Sequence, residues 1–257
     1  MSVSASSDTR VALVTGGSRG IGRAIALRLA ADGCRVAFSY AASEDAATEV
    51  VNSITGCGGE AAAFHADLAQ AGSARTLFAA ALERFGQVDI LVNNAGMSSN
   101  SALIAETPEA LWRDMFDLNL NAVFYMLQQA IPHMRERGGG HIVNLSSNVT
   151  RRMPPNFGAY AISKYAVEAL TQITAKEEGA RGIRVNAIAP GPIMTDMLAG
   201  LLDNMGPERA QAFVDSVPLG RTGTPEEIAG MVAMLVSDVA SYVTGQIIYV
   251  NGGGPGG

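Results

Sequence analysis

Short runs of consecutive apolar and β-branched residues alternate with longer stretches of helical period along the whole chain. Val11 to Val14, Arg35 to Tyr40, Ala61 to His65, Val88 to Val92, His141 to Leu145, Ile183 to Ile188 and Gln246 to Val250 predict strands. Helical spacing predicts helices over Ile21 to Ala31 (ending at Gly33), Glu44 to Ile54, Ser73 to Phe85, Pro108 to Arg137 and Tyr160 to Glu178. Two further helical segments precede the last strand, and the long stretch to Arg137 stops at Gly138-Gly139-Gly140.

Strands separated by single helices imply right-handed crossovers and a parallel sheet buried on both faces. The predicted fold class is α/β: one doubly wound (Rossmann) domain with a seven-stranded parallel sheet and helices on both faces. No linker, charge block or repeat divides the chain, so 10–257 reads as one catalytic domain behind a flexible, Ser-rich lead-in at 1–9. In such sheets ligands bind beyond the carboxyl ends of the strands.

Directly after the first predicted strand comes Thr15-Gly16-Gly17-Ser18-Arg19-Gly20-Ile21-Gly22. Glycines let backbone approach a pyrophosphate, and the helix that follows offers free N–H groups and a positive dipole end. The spacing Gly-x-x-x-Gly-x-Gly departs from the commoner Gly-x-Gly-x-x-Gly, and a tight structural turn is the alternative. A carboxylate after the second strand would hold a ribose 2′-OH, whereas a nearby Arg accommodates a 2′-phosphate. That strand ends in Ser39-Tyr40-Ala41 without an acid, and Arg19 lies in the loop, so NADP(H) is expected over NAD. Glu44 and Asp45 read as the opening of the next helix, with Ser43 as its cap. Arg19 could otherwise be a solvated surface cation.

Tyr160 and Lys164 lie four residues apart, on one face of a predicted helix, with Ser147 upstream. Tyr ordinarily titrates near ~10. A cation about 4 Å away, at an effective dielectric of ~20, favours the phenolate by roughly 4 kcal/mol, about three pKa units before desolvation offsets it. That would bring the phenol within range of neutral pH, where an acid/base catalyst is most useful.

Bulk properties remove other classes. Of 257 residues, 48% are hydrophobic, enough for a sizeable core, and the net charge of −6 argues against a nucleic-acid surface. Cys34 and Cys57 fall outside any Cys-x-x-Cys pattern, and His65, His133 and His141 are scattered, so neither a metal site nor a disulfide is expected. The cysteines read as small packing residues. The polar N-terminus has no apolar core of a signal peptide and no apolar run reaches about 18 residues, so a cytoplasmic protein without a membrane span is expected.

Taken together, Thr15-Gly16-x-x-x-Gly20-x-Gly22, Asn93-Asn94-Ala95-Gly96, Asn119, Ser147, Tyr160-x-x-x-Lys164 and Pro190-Gly191 resemble the short-chain dehydrogenase/reductase family in order and distance, over about Arg10 to Gly253. Pro218-Leu219-Gly220-Arg221 and Thr244 to Gly253 look most like bacterial β-ketoacyl-acyl-carrier-protein reductases. The resemblance implies that Tyr160 protonates the carbonyl oxygen, that Lys164 depresses its pKa and binds nicotinamide ribose hydroxyls, and that Ser147 polarises the carbonyl. It implies that Asn119 holds a water linking Lys164 to solvent. Gly16, Ser18, Arg19, Gly20, Ile21, Gly22, Tyr40, Leu68, Pro190 and Gly191 would bind the cofactor with Tyr160 and Lys164. Asp67 would contact the adenine edge, unless it merely caps a strand end. Asn93, Ala95 and Gly96 would line the cofactor floor, and Ile193 and Thr195 would meet the carboxamide.

The loop from Ser147 to Tyr160 and a helical insert at 194–217, expected to act as a lid, should shape the substrate pocket. Met153, Phe157, Met194, Met197 and Leu198 could form an apolar wall, although Met and Leu at helical spacing also serve as plain core. Arg151 and Arg152 suit an anionic substrate or simply solvent. Arg137 and Arg181 lie where the resemblance would place an acidic carrier protein. The expected activity is NADPH-dependent reduction of a 3-oxoacyl thioester, on coenzyme A or acyl carrier protein, or of a similar small ketone. An NAD(P)-dependent dehydrogenase of a sugar, steroid or other secondary alcohol is the alternative, and a non-catalytic nucleotide sensor or scaffold the remote one. The resemblance also implies a homotetramer, although the all-glycine-and-proline tail Gly252 to Gly257 has no apolar side chain to bury at an interface.

Overall fold

The first strand, Val11–Val14 (β1), is buried at all of its positions, as its unbroken apolar run requires of a central parallel strand. In the computed structural model, which describes residues 9–98 and 102–254, it is followed by Gly20–Ala31 (α1), Arg35–Tyr40 (β2), Glu44–Gly56 (α2), Ala61–His65 (β3), Ser73–Phe85 (α3) and Ile90–Asn93 (β4). Glu109–Phe116 (α4) and Ala122–Arg137 (α5) lead to Gly140–Leu145 (β5), and Val149–Arg152 (α6) and Gly158–Glu178 (α7) to Ile183–Pro190 (β6). Asp196–Met205 (α8), Pro207–Asp215 (α9) and Pro225–Leu235 (α10) precede Ile247–Val250 (β7). The expected lead-in at 1–9 lies outside the described residues, Thr9 apart.

All seven strands are parallel, in the order β3-β2-β1-β4-β5-β6-β7. The order reverses between β1 and β4, which opens a crevice at their carboxyl ends. Alternate residues feed opposite cores. Ala12, Val14, Ile90 and Val92 pack with Ile25, Leu29, Ile228 and Val232 on one face. Val11, Leu13 and Leu91 pack with Leu77, Phe78, Met126, Leu127 and Met134 on the other. Each of these buried Val, Leu, Ile, Phe and Met side chains contributes about 1.5–3 kcal/mol.

Two expectations are corrected. The stretch 108–137 is not one regular helix: a π-turn over Asp117–Asn121 separates α4 from α5. A wide turn of this kind inside a helix is found frequently at functional sites. Cys34 packs in the core, but Cys57 stands exposed at the end of α2.

Candidate active site

The turn after β1 is held by side chains as well as shaped by glycine. The buried Thr15 hydroxyl accepts the N–H groups of Asn94 and Ala95, each at 2.9 Å. Asn94 donates its Nδ2 back to the carbonyls of Thr15 at 2.9 Å and Gly16 at 3.0 Å. The Gly16 N–H reaches Ser39 Oγ at 3.0 Å, and the Gly17 N–H reaches the Ser39 carbonyl at 2.8 Å. Gly16 and Gly20 take left-handed conformations, with φ of +67° and +53°. A side chain on Gly22 would collide with the Gly16 carbonyl, and one on Gly17 with Phe38. α1 then opens with no acidic residue in its first turn and no side-chain hydrogen bond at its cap, Arg19, which leaves its first N–H groups to a ligand. This glycine cradle and helix end fit the diphosphate of a dinucleotide.

Ser18 in the loop and Ile21 in the first turn of α1 are half-buried, while Arg19 is exposed at the loop's tip and makes no ion pair among the described residues. Tyr40, at the end of β2, is half-buried and meets His65 edge-on with ring centroids 5.6 Å apart. No carboxylate ends that strand. Ser43 caps α2 by accepting the Ala46 N–H at 3.2 Å, with Glu44 and Asp45 in the first turn. Asp67 is exposed and engaged in its own turn, accepting the Ala69 N–H at 3.1 Å and Gln70 Nε2 at 3.2 Å, and Leu68 beside it is buried.

Tyr160 and Lys164 lie on α7, one turn apart. Lys164 is buried and donates its ammonium to the Leu145 carbonyl at 2.8 Å. Burial lowers its pKa to about 8. For Tyr160, burial pushes the phenol pKa up, and a hydrogen bond with Ser147 pulls the other way. The expected depression of the phenol by Lys164 is therefore corrected: burial raises the phenol, only the hydrogen bond with Ser147 opposes it, and the ammonium is spent on a carbonyl. Ser147 follows β5, and its Oγ accepts the Val149 N–H at 3.3 Å. Between α6 and α7 the chain turns back through two left-handed non-glycine residues, Met153 at φ 43° and Asn156 at φ 70°. Such conformations cost about 1–3 kcal/mol each and cluster where function demands them.

Asn119 sits in the π-turn, fully buried. Its Oδ1 accepts the Met97 N–H at 2.8 Å, and its Nδ2 donates to the Met97 carbonyl at 2.9 Å and Ser163 Oγ at 3.1 Å. That ties the strand end after β4 to α7. Ala95 is half-buried and Gly96 exposed on the same segment. Asn93, by contrast, turns its side chain into the sheet–helix interface, donating to Asn144 Oδ1 at 2.8 Å, with Asn144 in turn bound to Thr171 at 2.9 Å.

At the end of β6 the Pro190 carbonyl accepts the Asn148 N–H, and the Gly191 N–H donates to Val250, each at 2.9 Å. A side chain on Gly191 would run into the Asn251 backbone. Ile193 pairs with Gly223, and Thr195, which precedes α8, lies against Gly20: a Cβ there would be 3.4 Å from the threonine methyl. The end of β6 thus reaches the glycine cradle.

The apolar wall is only partly assembled. Met153 and Met194 are exposed, Phe157 is half-buried and Leu198 is buried, while the side chain of Met197 lies outside the described residues. A small pocket beside Tyr160 is lined instead by Thr107, Leu111, Asn156 and Phe157. Arg137 pairs with Asp89 at 3.2 Å and Arg181 with Glu178 at 3.6 Å, both just ahead of β5 and β6, at the opposite edge of the sheet from Ser147 and Tyr160. Sequence reasoning gave Thr15, Asn94 and Ser39 no role. The signal was the second asparagine of Asn93-Asn94, whose amide can bond the adjoining turn.

Known proteins match the chain over nearly its whole length. The family described as enoyl-(acyl carrier protein) reductase matches residues 16–254. The chain is 43% identical over 245 residues to the 3-oxoacyl-[acyl-carrier-protein] reductase FabG of Staphylococcus aureus, covering 95% of this chain and 98% of the relative. A short-chain dehydrogenase/reductase from Serratia marcescens superposes with a TM-score of 0.88 at 40% identity, over 95% of this chain and 97% of that one. A 7α-hydroxysteroid dehydrogenase complexed with NADH and 7-oxo glycochenodeoxycholic acid superposes with a TM-score of 0.91 at 37% identity, over 97% and 96%.

Proposed function

The chain belongs to the short-chain dehydrogenase/reductase family of oxidoreductases, which bind a nicotinamide dinucleotide, and on that premise we propose that it reduces a ketone to a secondary alcohol with NADPH. The substrate is a 3-oxoacyl thioester, carried on coenzyme A or acyl carrier protein, or a similar small carbonyl. The observation that supports this reading is the hydrogen bond between Ser147 and Tyr160, with Lys164 on the Leu145 carbonyl at the end of β5, in a chain 43% identical to a 3-oxoacyl reductase.

The cofactor, when bound, supplies the hydride. Gly16, Gly20, Gly22 and the first turn of α1 hold its diphosphate, and Pro190, Gly191, Ile193 and Thr195 border its nicotinamide end. Arg19, exposed and without an ion pair among the described residues, would hold a 2′-phosphate; the absence of a carboxylate at the end of β2 supports NADP over NAD. Ser147 Oγ and Tyr160 OH both donate to the ketone oxygen as negative charge grows there, and Tyr160 delivers its proton to complete the alcohol. A phenol kept protonated by burial is suited to that direction. Lys164 restores the proton, with Asn119 and the π-turn opening a path to solvent.

Exposed apolar side chains on α5 (Phe124, Tyr125) and α7 (Ile162, Tyr165, Ile173) support self-association, and a homotetramer is the proposed assembly. No helix of the described residues is long and apolar enough to cross a membrane, and the proposed location is the cytoplasm.

The test is oxidation of NADPH and NADH with an acetoacetyl thioester, a β-ketoester, a cyclic ketone, a sugar ketone and an oxo-steroid. Turnover of the thioester, faster with NADPH, is expected. Turnover of the steroid or sugar ketone alone would move the chain to the alcohol dehydrogenases, and cofactor binding without any turnover would leave a scaffold.

A further inference from the structure

Glu168 lies on α7, one turn beyond Lys164 and two beyond Tyr160, so all three share one helix face. It is buried, at 7% exposure, and it forms no ion pair among the described residues. A buried carboxyl costs several kcal/mol unless its oxygens are satisfied. Here hydroxyls satisfy them. Ser146 Oγ and Thr150 Oγ1 each donate to Glu168 Oε1 at 2.7 Å, and Tyr249 OH lies 3.3 Å from both carboxyl oxygens. The Tyr249 hydroxyl also touches Thr150 Oγ1 at 3.1 Å, and the Arg151 guanidinium lies over the Tyr249 ring at 4.1 Å.

The sequence positions of these donors give the cluster its meaning. Ser146 immediately precedes Ser147, and Thr150 follows it by one helical turn, with its N–H on the Ser147 carbonyl at 3.2 Å. The segment bearing the carbonyl-polarising hydroxyl is thus tethered on both sides to one carboxyl oxygen. That oxygen belongs to the helix that carries the proton donor. We propose that Glu168 is a positioning residue: through Ser146 and Thr150 it fixes Ser147 relative to Tyr160, so that both hydroxyls meet one ketone oxygen, with Tyr249 of β7 bracing the far side. A mere staple between helix and sheet would need no particular link to residue 147. A positioning group acts where charge develops, because a misplacement of about 1 Å can cost on the order of 100-fold.

This inference rests on the ketone-reductase reading, and the experiment separates the two. Turnover, cofactor affinity and Tm are measured for the wild type, Glu168→Leu, Glu168→Gln, Ser147→Ala and the Ser147→Ala/Glu168→Leu double variant. Glu168→Leu is expected to lower kcat at least tenfold with cofactor affinity within about twofold. Glu168→Gln, which keeps one acceptor oxygen for Ser146 and Thr150, should recover kcat to within about threefold of wild type. In the Ser147→Ala background Glu168→Leu should cost less than threefold, because the group it positions is gone. If the leucine variant does not fold, Thr150→Val, which removes one tether alone, takes its place with the same expected pattern. An equal loss in both backgrounds, or unchanged kcat with only a lower Tm, overturns the positioning role. An inactive wild type overturns the reductase reading and this role with it, whereas an active wild type with an unaffected Glu168→Leu overturns this role alone.

Discussion

Asn119 Oδ1 and Lys164 Nζ face each other across Gly96: a methyl group built on that glycine would lie 3.0 Å from the first and 3.3 Å from the second. The glycine keeps open the space between the amide and the ammonium that the proposed proton path requires. Gly96→Ala should therefore lower kcat about tenfold, with Tm falling only a few degrees. Stopped-flow and steady-state rates would check this, and turnover within twofold of wild type would remove Gly96 from the path.

Lys164 should be held at a cost to stability. Its pKa falls from the ordinary 10.5 to about 8 because its charge is buried, which corresponds to about 3 kcal/mol of destabilisation while it is protonated. Below pH ~8 folded and unfolded chains both carry the proton and the cost is complete. Between about 8 and 10.5 the unfolded lysine keeps its proton and the folded one loses it, so wild-type stability rises with pH across that window. Lys164→Met removes the charge but also the ammonium's hydrogen bond to the buried Leu145 carbonyl, a loss of about 1.5–3 kcal/mol. The variant without cofactor should be at least as stable as wild type at pH 7, by up to about 1 kcal/mol. Its advantage should shrink as pH rises toward 10.5, in urea melts at each pH, and its turnover should be lost. A destabilised variant at pH 7 would contradict this.

The Asn94 amide ties the segment after β4 to the glycine turn in which a diphosphate would sit. Asn94→Ala should loosen the cradle and weaken cofactor affinity about tenfold, read by quenching of intrinsic fluorescence. Retained affinity would mean that the glycines hold the loop unaided.

Arg19→Ala should weaken NADPH about tenfold or more and leave NADH within about twofold, since only the former carries the 2′-phosphate. Equal losses for both cofactors would refute the assignment.

Most of the scaffold was legible because buried parallel strands are written as unbroken apolar runs. Arg35–Tyr40, Ala61–His65 and Ser73–Phe85 have the bounds that periodicity predicts. The π-turn at Asp117–Asn121 was not legible, because one widened turn barely disturbs the hydrophobic period of the helix around it. Spacing marked Tyr160 and Lys164 as candidates, but could not give their state. Spacing placed Lys164 beside Tyr160, whereas the carbonyl that takes its ammonium, Leu145, comes from another element. The same limit hid the link from Glu168 to Ser146 and Thr150, which exists only once α7 has packed on the end of β5. Met153 and Met194 were read as a wall by residue type, but left-handed backbone at Met153 turns the chain before that side chain can pack.

The most direct test of the account is Tyr160→Phe, compared with wild type for NADPH oxidation by an acetoacetyl thioester and for NADPH affinity in parallel. The variant should lose at least ~100-fold in kcat while binding NADPH within about twofold of wild type, since only the proton has been removed. Near-normal turnover by the phenylalanine variant would contradict the assignment of Tyr160 as the acid.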